Sequence, residues 1–112
     1  MPRYVTIGYG SRAGYERTPQ PLRDASHAQD RSLAATGAVV GMAGAPVQVR
    51  NPEGAGTVTL NAPFMTADLP VAGFAVIEAE SIEAAVARVA QSPCAICHGV
   101  VEVWPLVEPD GT

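Results

Sequence analysis

Residues 73–90 constrain the fold more than any other part of the chain. Gly73-Phe74-Ala75-Val76-Ile77-Glu78-Ala79 is rich in branched and aromatic residues, as strands are. Ser81 then stands where a helix needs a cap for its first free N–H groups. The apolar positions that follow, Ile82, Ala85, Val86, Val89 and Ala90, fall at i, i+3, i+4, i+7 and i+8, one face of an α-helix. Pro93 ends that helix, and Gly99 to Trp104 reads as a last strand. A strand, a capped helix and a second strand need a larger sheet to bury their apolar sides.

The rest of the chain supplies more strands. Arg3 to Tyr9 alternates as a first strand, and residues 10–20 mix Gly, Ser, Arg and Pro without an apolar period, which predicts a flexible loop. Pro21 suits a first helical turn, Leu22 to Thr36 favours helix, and Gly37 marks its stop. Ala38 to Met42 predicts a second strand, continued by Val47 to Arg50 after the Gly44-Ala45-Pro46 break. Asn51-Pro52-Glu53-Gly54 is a turn by composition, and Thr57 to Leu60 a third strand, so this region predicts a hairpin. An irregular stretch runs on to Pro70. The order strand, helix, two strands, helix, strand is the ferredoxin-like βαββαβ pattern of an α+β fold.

At 112 residues the chain fits one domain, with a core over about 3–106 and a polar tail at 107–112. Its apolar share is 47% but its aromatic share only 5%, so the core is built from small aliphatic side chains that each bury little area. Covering one sheet face with a second copy offsets this, and a homodimer is expected. The net charge is −4, with 7 basic residues scattered from Arg3 to Arg88, which argues against a nucleic-acid groove. No apolar run approaches the roughly 20 residues of a membrane span, and the N-terminus shows no signal-peptide pattern, so the expected location is cytoplasmic.

Cys94-Ala95-Ile96-Cys97-His98 matches the attachment string of c-type haem. Haem attachment needs export, an axial partner and surrounding helices. No Met follows His98, and the chain is too rich in Gly, Pro and β-branched residues for a four-helix bundle. Zinc would be one ligand short, with His27 the only other histidine. The expectation is two partly buried thiols at a helix end, with no metal and no cofactor. Gly8-Tyr9-Gly10-Ser11 lacks the spacing of a nucleophile elbow, and no phosphate-loop motif is present.

Several strings resemble the YCII-related family, in the version named for its Asp-Gly-Pro-Phe motif. Thr57 to Phe64 occupies the motif and the strand leading to it, ten residues ahead of Phe74. Gly73 to Ala85 is similar to the family's strand and following helix, Val101 to Leu106 to its closing strand, and Tyr4 to Gly10 to its first. Asn61 and Ala62 replace the Asp and Gly of the motif, Thr66, Ala67 and Asp68 replace a common Glu-Thr-Lys run, and Trp104 replaces the usual Arg of the last strand. The resemblance implies a dimeric α/β barrel, in which two four-stranded sheets face each other and each subunit keeps a pocket between sheet and loops. Muconolactone isomerases, small monooxygenases and dechlorinating enzymes share that fold. Many YCII-related proteins have no established activity, and some accompany sigma factors, so fold alone does not choose among functions.

His27, with Asp30 one turn later, is the acid/base candidate, and the family's implied His also lies on this helix. On a helical wheel His27 falls about 140° and Asp30 about 80° from Leu22, the apolar reference of the predicted stripe Leu22, Gln29, Leu33. A solvated His beside a surface Asp fits the same letters. Tyr9, Asn61 and Asp68 are candidates to hold the polar end of a ligand, and Met42, Phe64 and Trp104 to line an apolar cavity. The lost motif charges predict a largely apolar, even aromatic, substrate. One hypothesis is a cofactor-independent isomerase, lyase or proton-transfer enzyme; its rival is a non-catalytic ligand-binding or partner-binding domain.

Overall fold

The computed structural model describes residues 1–109. Its strands are β1 (Arg3–Tyr9), β2 (Val39–Met42), β3 (Gln48–Arg50), β4 (Val58–Leu60), β5 (Val71–Glu78) and β6 (Val100–Leu106). Its α-helices are α1 (Arg12–Glu16), α2 (Gln20–Ala35), α3 (Ile82–Val89) and α4 (Pro93–Ile96). The fold is α+β, with a four-stranded sheet in the order β2-β5-β1-β6 whose neighbours all pair antiparallel.

Strand alternation divides the sheet into two faces. On β1, Tyr4, Thr6 and Gly8 are buried while Val5, Ile7 and Tyr9 are only half-buried. Ala75 and Ile77 of β5 share the buried side, and α2 and α3 cover it through Leu33, Ala85 and Val89. Ala79 and Ala85 are 1% and 0% exposed, so methyl-sized side chains let helix and sheet approach closely. The predicted cap of α3 is present, Ser81 Oγ accepting from the Ala84 amide at 3.1 Å. α2 ends at Gly37, whose φ of +98° is cheap only for glycine.

Three expectations are corrected. Residues 10–20 are not an irregular loop, because Ser11 Oγ accepts from the Gly14 amide at 3.0 Å and starts α1. A five-residue helix is too short to show an apolar period. On α2, Leu22 is exposed, and the inward residues are Ser26 and Leu33, since small Ser26 lets the helix lie close to its neighbours. The third predicted strand does not join the main sheet. β3 and β4 pair only with each other, and the strand between β2 and β1 is β5. Pro46 has no N–H to continue the ladder, and the Ala43 amide bonds the Ala72 carbonyl at 2.9 Å, so β2 returns directly into β5. Residues between them make an excursion that carries the hairpin away from the core.

That excursion lengthens the molecule. It measures 53 × 38 × 21 Å, with a radius of gyration of 16.1 Å against about 13 Å for a compact chain near this length. Val49, Val58 and Leu60 on the hairpin are exposed. No described helix is long and apolar enough to cross a membrane.

Candidate functional site

A cavity of about 530 Å³ lies between the covered face of the sheet and helices α1, α2 and α4, within the size range of small-molecule sites. It opens where the sheet loses its side chains. Gly8 of β1 pairs with Gly73 of β5, and Gly41 of β2 also lines the space. These glycines also permit close approach: a Cβ at Gly73 would stand 2.8 Å from the Gly41 carbonyl oxygen, and one at Gly8 would stand 2.7 Å from Cys94 Sγ. Toward the other end of the sheet, Tyr4, Ala75 and Ile77 fill the core instead.

The polar groups of the cavity come mostly from its helix wall. His27 of α2 and Tyr15 of α1 both line it, and Tyr15 Oη lies 2.8 Å from His27 Nε2, a hydrogen bond between the two. Their rings meet edge-on with centroids 5.7 Å apart, and the Arg23 guanidinium sits 5.0 Å over the tyrosine ring. Asp30, one turn beyond His27, lines the same space and is half-buried. Burial pushes its carboxyl above the ordinary carboxylate range, while the charge of His27 pulls the other way. Cys94 also lines the cavity. Its thiol is raised above the usual range by burial first, then by Asp30 and Cys97, which makes it a poor nucleophile.

The sequence-predicted residues divide. His27, Asp30 and Met42 line this cavity, Met42 at its rim and 93% exposed. His27 takes its hydrogen bond from α1 through Tyr15, and no hydrogen bond joins it to Asp30. Tyr9 is displaced by strand parity: Thr6 and Gly8 face the cavity, whereas Tyr9 lies on the other face and donates to Glu102 Oε1 at 2.7 Å. That hydrogen bond raises the pKa of its phenol above the ordinary value. Trp104 pairs opposite Val5 on the same outer face and is 56% exposed. Asn61, Phe64 and Asp68 follow the hairpin, and all three are exposed. Phe64 lies under the Arg50 guanidinium, 5.8 Å from ring centroid to carbon. Within one chain these five residues do not join His27.

Sequence reasoning missed Tyr15, Thr6 and Cys94 as cavity residues. Tyr15 sits in the stretch read as a loop, and nothing in the letters brings position 15 to position 27. Cys97 is 5% exposed and both cysteines are free thiols. His98 is exposed and holds a φ of +65°, a left-handed turn into β6. Among the described residues no three His, Cys, Asp or Glu side chains gather as a metal site. No family model matches the chain, and no curated protein matches it.

Proposed function

We propose that this chain is a small-molecule enzyme of the YCII-related type, performing cofactor-independent acid/base chemistry on a largely apolar, ring-bearing substrate. The observation that carries this reading is the Tyr15–His27 hydrogen bond at the wall of an apolar cavity. A phenol held 2.8 Å from an imidazole can hand a substrate proton to Nε2 and return it elsewhere, which is the requirement of isomerisation or elimination. His27 is the base, Tyr15 the relay, and Asp30 adjusts the charge of the pair from one turn away. Apolar walls supply affinity by burial, and the few polar groups fix orientation.

The sheet order β6-β1-β5-β2 supports a ferredoxin-like βαββαβ arrangement, with β1-α2-β2 and β5-α3-β6 as its halves. A homodimer through the open sheet face follows from its apolar residues. Val39, Phe74, Val76, Val100 and Trp104 are exposed there, with nothing among the described residues to cover them. Four strands of four to eight residues offer only about 400 Å², less than the ~800 Å² per partner of a stable complex. The exposed hairpin supplies further apolar area.

The test does not need the natural substrate. Exchange of the α-protons of 2-tetralone, a neutral bicyclic ketone, is followed by NMR in deuterated water. The intact protein should accelerate exchange, His27→Ala should remove the acceleration, and Tyr15→Phe should lower it about 10- to 100-fold. Binding of the ketone without any acceleration favours the non-catalytic ligand-binding domain instead.

A further inference from the structure

Three polar side chains are buried in the described residues: Thr6, Thr18 and Ser26. Two of them have their hydrogen bonds within the chain. Thr18 Oγ1 donates to the Gly14 carbonyl at 2.8 Å, and Ser26 Oγ donates to the Arg23 carbonyl at 2.7 Å. Thr6 is 5% exposed and lies in the middle of β1, between Ala75 and Val103. Its Oγ1 makes no hydrogen bond with any described residue, and Thr6 lines the cavity. Valine would serve the strand equally well there, so the fold does not need the hydroxyl and it is left to the cavity that Thr6 lines. Ser92, also on the cavity lining, has a buried Oγ with no partner, as has Arg23 Nε, whose guanidinium lies over the Tyr15 ring. The sheet wall therefore presents an unanswered hydroxyl, and the helix wall presents Tyr15 and His27, across one continuous space.

We infer that the ligand of this cavity is a neutral apolar molecule carrying two oxygen functions, one met by the Tyr15–His27 pair on the helix wall and the other by Thr6 on the sheet wall. Neutrality follows from the charges present. Among the residues lining the space Arg12 is the one Arg or Lys and is paired with Glu16 at 2.8 Å, Arg23 lies over the Tyr15 ring without lining it, and Asp30 presents a carboxyl group, so an anion meets no unpaired lining cation. A molecule with a single oxygen function leaves one wall unpaired, and a charged clamp is absent for anything larger than a hydrogen-bonding group. The inference rests on reading the cavity as a small-molecule site, and it adds what the substrate must carry.

Calorimetry with three kinds of probe separates the possibilities: naphthalene, 2-naphthol, and the 1,5- and 2,6-dihydroxynaphthalenes, which space their oxygens differently. At least one diol should bind the intact protein about tenfold tighter than 2-naphthol, the worth of one added hydrogen bond in a dry site. Thr6→Val should cancel that advantage while leaving 2-naphthol binding, and should keep a cooperative melt near that of the intact protein, because valine suits the same strand position. That cooperative melt shows that the variant folds. Diols no tighter than 2-naphthol, or a diol advantage that survives Thr6→Val, overturn the inference and leave the acid/base reading to its own exchange assay. Failure of every probe to bind overturns both. Tight diol binding with no proton exchange supports this inference and counts against catalysis.

Discussion

The two faces of the four-stranded sheet are built from the same strands, and they differ in what meets them. On one face Tyr4, Ala75 and Ile77 lie under α2 and α3, with Ile77 1% exposed. On the other, the directly adjacent Phe74 and Val76 are 47% and 36% exposed. Alternation along a strand places successive side chains on opposite faces, so a shift of one position separates a core residue from a surface one. The comparison also separates the two kinds of polar chemistry. The covered face holds the cavity with His27 and Tyr15, while the open face carries Tyr9 bound to Glu102 and Arg3 paired with Glu108.

The largest effect expected from breaking this contrast is at Ile77. Ile77→Ala should cost about 2–5 kcal/mol, because a side chain that is fully buried leaves a cavity behind, and chemical denaturation measures it at any protein concentration. Phe74→Glu tests the opposite face. If a second copy covers that face, the substitution should weaken self-association at least about 100-fold in sedimentation equilibrium, close to the cost of a buried hot-spot residue. Intact protein that stays monomeric at micromolar concentration would remove the dimer while leaving the covered face as described. Ser81→Ala should cost about 1 kcal/mol through the lost cap of α3, a change that thermal melts resolve and that should not depend on concentration.

The smallest effect is a pH dependence. Burial raises the Asp30 carboxyl in the folded chain above its ordinary value of 3.8. A group raised on folding stabilises the fold below its unfolded pKa, and that contribution is lost as pH rises through its folded pKa. Asp30 is partly open to solvent, so the effect is screened. Stability should fall slightly from about pH 4 upward on account of this residue, and Asp30→Asn should flatten that part of the profile. An unchanged profile would mean that Asp30 is solvated as freely as in the unfolded chain.

Part of the site was legible because its signals are local. His27 and Asp30 stand three apart on a helix whose stop, Gly37, is visible in the letters, and both reach the cavity. Their wheel position relative to Leu22 misled, since Leu22 is exposed and Ser26, a polar residue, faces inward. The position of Tyr9 at a strand end suggests a ligand contact, yet parity turns it to the other face. Asn61, Phe64 and Asp68 suggest a site because loops carry function, but their loop leaves the core with the hairpin.

Local rules in the sequence determined the strands and helices that carry the sheet: Ser81 capping α3, Gly37 ending α2, and the alternation of β1 and β5 are each written in a few neighbouring residues. Tertiary structure decided what those elements enclose. The approach of Tyr15 to His27, the unpaired Thr6 hydroxyl and the glycine-lined gap at Gly8 and Gly73 join residues far apart in the chain. Periodicity reports the face on which a side chain lies; it carries no information about the element that comes to rest against that face, which depends on how whole elements pack.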